Sequence, residues 1–404
     1  MRQIARCRSP AWLEPNVIGR DLDAQPQDSQ FGAAVEFRRE TLPPLAALEA
    51  EWRGLEPVAA PSFFTSWHWI GTFLTTLPEA KRPDLLRGSF SGETVALALI
   101  GAKLVRRHGL IRSRALFLNE TGDPDYDVAI EHNGLLVATP YRRAASDALV
   151  RWFAESGAHE ADELHLSGSM RPLPGNDLAQ RGLHLEQSAV PSYWIALDLL
   201  VESDGELYPV LSSNARQQLR RAIRQFEKFG KLRLDRASGR SEGREFLAGL
   251  KELHIATWQS RGKTHAFSRP FFEAFHQQLI ERHIADGAVQ LLRASAGSHL
   301  IGYLYNFRLS DCVYAYQNKF AYAEKPAHPN AVAHALAIRN TYHSGASTYD
   351  FLADRNRLKE SYASGSAPMF WEVIQQPRVA FRVERLARSA KRQLQMPSRR
   401  FWSA

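Results

Sequence analysis

A chain of 404 residues, 44% hydrophobic and 23% charged, has room for two or three folded domains and excludes a single small module. No apolar run approaches the roughly 20 residues that span a bilayer, and residues 1–20 lack the apolar stretch of a secretory signal, so the expected location is cytoplasmic. Residues 376–404 hold eight Lys or Arg against one Glu, so +7 of the formal +8 sits there, and the two cysteines, Cys7 and Cys312, offer no disulfide framework.

Residues 1–34 are polar, turn-rich and unpatterned, which reads as a flexible leader. A first folded region, 35–200, carries a helix-like TLPPLAALEAEWRGL, an aromatic SFFTSWHWIGTFL and strand-like TVALALIGA and RALFLN. A helix around residues 140–156 and a strand pair, DELHLSG and SYWIALDL, close it. A second region, 201–375, opens on SSNARQQLRRAIRQFEKFG, where Ser213 can cap a helix and Leu219, Ile223 and Phe226 form one apolar stripe ending at Gly230. KLRLDRA reads as a strand. Two helices follow, one with Phe246, Leu250, Leu253 and Thr257 at helical spacing, the other capped by Ser268 with Phe272, Phe275 and Leu279.

AVQLLRASA, HLIGYLYNFRL and CVYAYQNKF read as three strands, the last two meeting at Ser310 and Asp311 as a hairpin. Pro326 and Pro329 end strand character because they remove ladder donors. Asn330 can then cap a helix, AVAHALAIRNTYHS, that stops at Gly345, and TYDFLAD follows as a short apolar strand. After the leading helix the order is strand, two helices, three strands, helix, strand, helix, strand, which is an α/β domain on one central sheet. The helix end beside Asn330 aims at that sheet, and such ends bind anions. In the tail, 376–404, Val379, Val383, Leu386, Ala390 and Leu394 fall at helical spacing among five basic residues. That pattern suits an anionic membrane surface at the inner face or an acidic partner, and equally a solvated or packed C-terminal helix. No metal-ligand spacing, Walker loop, dinucleotide fingerprint or nucleophile elbow is present, so no metal is expected.

On SSNARQQLRR, ELHIATWQSRG, HLIGYLYNF, CVYAYQNKF and above all YDFLADRNRLKESY, residues 212–373 resemble the acetyltransferase-like domain of the Gcn5-related N-acyltransferase superfamily. The similarity is to the branch of the cellulose-biosynthesis CelD proteins and the peptidoglycan FemAB-type transferases. Asp350, Phe351, Asp354 and Lys359 stand at positions of that family's pattern, whereas Ala353 replaces its usual Gly and Leu358 an aromatic residue. SFFTSWHWIGTF and FLNETGDPDYDVAI resemble the N-terminal halves of such proteins, where a degenerate copy of the fold packs against the second. The resemblance therefore implies an α/β fold of tandem acetyltransferase-like domains, each a mixed central sheet flanked by helices.

It also implies acyl transfer from a thioester, with acyl-coenzyme A as co-substrate, to an amine or hydroxyl of a small-molecule or envelope-precursor acceptor. FemAB-type relatives use aminoacyl-tRNA, which is the alternative donor but not the favoured one. A catalytically silent protein that binds an envelope or polysaccharide component is the reading from another class. Acyl transfer needs an anion cradle, an amide that polarises the carbonyl and a base. Asn318, Lys325, Asn330 and Ala331 are the candidate cofactor-binding residues, although Pro326 and Pro329 stand where most coenzyme-A-binding members have glycines. Tyr316, which shares a strand face with Tyr314 and Asn318, is a candidate catalytic residue. Asp350 is the candidate base or acceptor-orienting carboxylate, and Lys359 the cation for a substrate phosphate or carboxylate. Arg216, Trp258 and Arg261 are the candidate substrate-binding residues. An Asp–Lys ion pair at a helix start, or an amphipathic strand covering a core, gives the same sequence pattern. Arg216, Arg220, Arg221 and Arg224 give the leading helix a basic face open to an acidic acceptor, a lipid phosphate or RNA, or simply to water.

Overall fold

The computed structural model describes residues 34–107, 111–155, 160–259, 265–322 and 328–395. The first half runs β1 (Glu36–Glu40), α1 (Leu45–Ala59), α2 (Trp67–Thr76), β2 (Asp84–Phe90), β3 (Glu93–Arg107), β4 (Ile111–Leu118) and a short β5 (Leu136–Val137). It continues with α3 (Arg142–Glu155), β6 (Glu163–Ser169), α4 (Gly175–Gln180) and β7 (His184–Ala196). The second half runs α5 (Ser213–Phe226), β8 (Leu232–Arg236), α6 (Arg240–Gln259), α7 (Pro270–His283), β9 (Val289–Ala296), β10 (His299–Leu309) and β11 (Cys312–Phe320). Then come α8 (Pro329–His343), β12 (Thr348–Ala353), α9 (Arg357–Tyr362), β13 (Gly365–Gln375) and α10 (Val379–Gln395). The class is α/β, and the element order of the second half is the one its sequence predicts.

Each half repeats one plan. An antiparallel meander, β2–β3–β4 or β9–β10–β11, leads through a helix, α3 or α8, to a strand that returns in parallel. That parallel pairing is brief in both halves: residues 115–117 of β4 meet 163–165 of β6, and 312–314 of β11 meet 348–350 of β12. The halves then exchange strands. β13, from the end of the second half, lies between β6 and β7, and β7 continues onto β12, so the two sheets run into one another in the order β1-β2-β3-β4-β6-β13-β7-β12-β11-β10-β9-β8.

This corrects one expectation, because DELHLSG and SYWIALDL do not pair with each other. β13 separates them, bonded to β7 from Gly365↔Trp194 to Gln375↔His184 and to β6 on its other edge. Strand patterns report which residues are apolar and carry no information about a partner some 180 positions away.

Helix starts differ from expectation at three points. Ser212, not Ser213, caps α5 by accepting the Ala215 N–H. Pro270 opens α7 while Ser268 donates to the His265 carbonyl, and Pro329 opens α8 with Asn330 already inside it. Proline wins the first helical position because its fixed φ suits the helix and its missing N–H is lost there anyway.

The aromatic run of the first half belongs to a core shared by both halves. Phe63 stacks on Phe307 of β10 with ring centroids 4.4 Å apart, and Trp69 meets Phe275 of α7 edge-on at 4.7 Å. Such contacts contribute about 0.5–1.5 kcal/mol each beyond burial, and through them α2 docks on α7 and the segment before it on β10. Opposite faces are covered by α5 and α8 in the second half and by α3 in the first.

The tail helix α10 attaches through Phe381 and Glu384, which are buried, and through Arg388, which pairs with Glu186 and Glu384. The predicted stripe faces water instead: Val379, Val383 and Leu386 are 75%, 57% and 71% exposed. No helix among the described residues is long and apolar enough to cross a membrane.

Candidate active site

β11 and β12 part after Tyr314 and Asp350. Beyond that point β11 stays on β10 through Phe320, while β12 stays on β7 through Leu352↔Tyr193 and Ala353↔Ser192, so a wedge opens between them. Among the described residues, no strand pairs with the edge of β11 that faces β12 beyond Tyr314. At the base β12 bulges: Leu352 adopts φ +61, and Asp350 Oδ1 accepts its N–H at 2.7 Å. The carboxylate thereby stabilises a left-handed turn that a leucine adopts only at a cost.

A loop of the first half fills one side of this wedge. It begins after β4, and Asn119, Ala129 and His132 all take positive φ along it. Each such residue costs on the order of 1–3 kcal/mol and needs its surroundings to impose it. The buried pair Asn119 and Asn133 does so. Asn119 Nδ2 donates to Asn133 Oδ1 and to the Gly134 carbonyl, both at 2.8 Å, and Asn133 Nδ2 donates to the Leu118 carbonyl at 2.9 Å. Gly168 permits the close approach, since a Cβ there would crowd the Ile130 carbonyl and the Glu131 Cα. From this clamp the loop reaches four points of the second half. Asp127 pairs with Arg269 at 2.8 Å, the Val128 carbonyl accepts the Tyr316 hydroxyl at 2.6 Å, Glu131 Oε2 accepts the Ala353 N–H at 2.8 Å, and His132 Nε2 lies 3.2 Å from Asp350 Oδ2.

Four titratable groups meet here: Glu131, His132, Asp350 and Lys359. Desolvation pushes the Glu131 carboxyl up, opposed by the Ala353 amide, by Lys359 and by His132. Desolvation likewise pulls the Lys359 ammonium down, opposed by Asp354, 3.8 Å away, and by Glu131 and Asp350. Burial thus moves the two groups in opposite directions, the acid up and the ammonium down.

The predicted residues fall into three sets. Lys359 pairs with Asp354 at 3.8 Å beside the wedge, and Asp350 is fully buried, its Oδ1 held by the Leu352 amide and its Oδ2 lying 3.2 Å from His132 Nε2. Tyr316 lines the same place, but its hydroxyl is bound to Val128, and burial holds its pKa well above the ordinary phenol value. Asn318 stands half-buried on the unpartnered stretch of β11. Asn330 and Ala331 sit at the start of α8, where Pro329 has no N–H and the Ala331 N–H donates to the His328 carbonyl at 3.0 Å. Ala331 is therefore not a free amide for an anion. Arg216 turns back to the Leu211 carbonyl at 3.2 Å. Trp258 stacks on His254, whose pKa falls to about 4 through burial and then Lys319 and His265. Lys325 and Arg261 lie outside the described residues. Glu131, His132, Asn119 and Asn133 escaped sequence reasoning; the turn-rich NETGDPDYD before them signals a loop and nothing more.

Residues 213–360 match the family profile described as an acetyltransferase (GNAT) domain. This stretch is a GNAT domain. No curated protein matches the chain. Among solved structures, FemX is similar over 83% of this chain and 96% of its own at 13% identity and a TM-score of 0.54. L-PGS from Bacillus licheniformis is similar over 84% and 95% at 10% identity and 0.51. A tandem GNAT protein from the clavulanic acid biosynthesis pathway aligns over 85% and 99% at 12% identity and 0.46. Identities of this size establish the fold alone: the GNAT plan of the second half, repeated in the first, is shared by FemX across nearly its whole length.

Proposed function

We propose that the chain is an acyltransferase whose activated donor lies along the unpartnered edge of β11, and whose amine or hydroxyl acceptor enters beside the loop of the first half. The observation that carries this reading is the meeting of the two halves at the base of the wedge, where Glu131 and His132 of the first reach the Ala353 amide and Asp350 of the second, with Lys359 paired to Asp354 close by. As the acceptor nitrogen attacks the thioester carbonyl, its proton passes to the Glu131 carboxylate. The C–S bond then breaks, and the Lys359 ammonium protonates the departing thiolate. A proton returned from Glu131 to Lys359 resets the pair. Backbone N–H groups of residues 315–320 would polarise the carbonyl, and the Asp350–His132 contact holds the loop and the bulge in register.

Acyl-coenzyme A is the proposed donor, and a small molecule or envelope precursor the proposed acceptor. Aminoacyl-tRNA is a second reading, favoured by the exposed Arg220, Arg221 and Arg224 on α5 and by the proline-opened α8. Native mass spectrometry with acetyl-coenzyme A and, separately, with aminoacylated total tRNA decides the donor, and thiol release with a panel of amines tests turnover. Binding of neither donor would remove the transferase reading. The tail is proposed to hold the enzyme at an anionic membrane surface through the exposed Val379, Val383 and Leu386 stripe. Cosedimentation with phosphatidylglycerol vesicles should fall in Val383→Asp, and no cosedimentation of the wild type would remove that role.

A further inference from the structure

Where α2 of the first half packs on the end of α7 of the second, His68, His283 and Asp286 converge. One ligand-capable atom of each lies within 4.8 Å of the others, and the two imidazole rings are 4.7 Å apart at 68°. The surrounding hydrogen bonds fix which atoms point inward. Thr72 Oγ1 donates to the His68 carbonyl at 2.7 Å, so toward His283 Nε2, at 3.4 Å, it can only accept, and Nε2 carries the proton. His283 Nδ1 then presents a bare lone pair to Asp286 Oδ2, 3.4 Å away and also an acceptor. The other oxygen of Asp286 is held by the Ala288 N–H at 2.9 Å. His68 repeats the arrangement: Ser66 Oγ donates to the Phe63 carbonyl at 2.7 Å and accepts from His68 Nδ1 at 3.5 Å, which leaves Nε2 bare.

Three acceptors that face one another need a cation among them. We infer that His68 Nε2, His283 Nδ1 and Asp286 Oδ2 bind one zinc ion, which pins the two halves together at the α2–α7 contact, with water as the fourth ligand. Two imidazoles and a carboxylate suit zinc rather than magnesium or calcium, which take oxygen ligands. Ligand distances of about 2.0 Å around a tetrahedral zinc place ligand atoms about 3.3 Å apart, close to the 3.4 Å between His283 and Asp286. Ser66, Thr72 and the Ala288 amide supply the outer contacts that orient such ligands. The ligands come from opposite halves of the chain, so no local spacing in the sequence announces them.

Full-length protein stripped with a chelator and titrated with zinc chloride in a calorimeter should take up one ion per chain with micromolar or tighter affinity. Its unfolding temperature should rise with zinc and not with magnesium. His68→Gln and His283→Gln should each weaken binding at least tenfold while the metal-free unfolding temperature stays at the wild-type value. Absence of heat and of a thermal shift in the wild type would mean that a proton alone bridges His283 and Asp286, and would overturn the site, as would undiminished binding in both variants. Should the variants fail to fold, cobalt added to the wild type keeps the question decidable: the intense visible bands of tetrahedral cobalt are expected, and a spectrum of aqueous cobalt overturns the proposal.

Discussion

The two wedges of this molecule are made of corresponding strands, yet they are closed in opposite ways. At the base of the first, Phe117 of β4 faces His165 of β6, and their rings stack at 4.5 Å. Asn119 and Asn133 seal it above, Glu163 at its base contacts His165 at 3.3 Å, and burial pushes the Glu120 carboxyl up to about 7 against the hydrogen bond from Ser167. At the base of the second, Tyr314 faces Asp350, and Glu131, His132 and Lys359 gather around that carboxylate. The connection from β4 to α3 spans residues 119–141, whereas that from β11 to α8 spans only 321–328. The first copy has spent its long connection on the second copy's site. A plan repeated within one chain thus carries two differently lined wedges, and the long connection of the first half forms a wall of the second.

The largest effect should come from Lys359→Ala, which is expected to lower kcat by about a hundredfold to ten-thousandfold with the thermal midpoint retained, as read by thiol release and circular dichroism. His165→Ala, the corresponding test in the first wedge, should leave turnover unchanged; loss of turnover there would break the asymmetry between the wedges.

Glu131→Gln ranks next. The proposed chemistry needs Glu131 deprotonated and Lys359 protonated, so rate should rise with pH through the Glu131 pKa and fall again through that of Lys359. Burial moves the first limb above the usual carboxylate range and the second below the usual lysine range. In Glu131→Gln the acid limb should vanish from the kcat/KM profile while the alkaline limb stays, and an unchanged profile would reassign the base.

Asn133→Ala should cost about 1–3 kcal/mol of stability, because three groups of the clamp lose their partner at once. Denaturant unfolding measures that cost, and turnover should fall with it as Glu131 drifts from Lys359. Tyr316→Phe is the mildest change. It removes the hydroxyl from the Val128 carbonyl, for about 1 kcal/mol and a modest loss of rate. A loss as large as that of Lys359→Ala without a fall in stability would instead restore a direct catalytic role for this tyrosine.

Much of the second half is legible because its signals are local. Periodicity places α5 to α8, alternation places β9 to β11, and the Asp350 to Lys359 stretch carries its family pattern within ten residues. At α5 the cap falls one residue earlier than its pattern suggests, on Ser212, and the other two helix starts that differ do so because proline takes the first helical position. The amide cradle at Ala331 failed for that reason, since a chain entering through His328 and Pro329 satisfies the Ala331 N–H internally. The first half yielded α1, α3 and the strands β3, β4, β6 and β7, but not α2 as a helix, the loop's route or the place of β13.

By itself the sequence determined the α/β class, the order of elements in the second half, the basic tail helix and the stretch from Asp350 to Lys359 as a place of interest. All of these follow from residues near one another in the chain, where backbone geometry converts spacing directly into position. Only the tertiary structure decided that β13 joins the sheets, that Glu131 and His132 complete the wedge, and that His68 meets His283. Those depend on register, strained loop backbone and packing between segments far apart in sequence, which side-chain pattern alone does not encode.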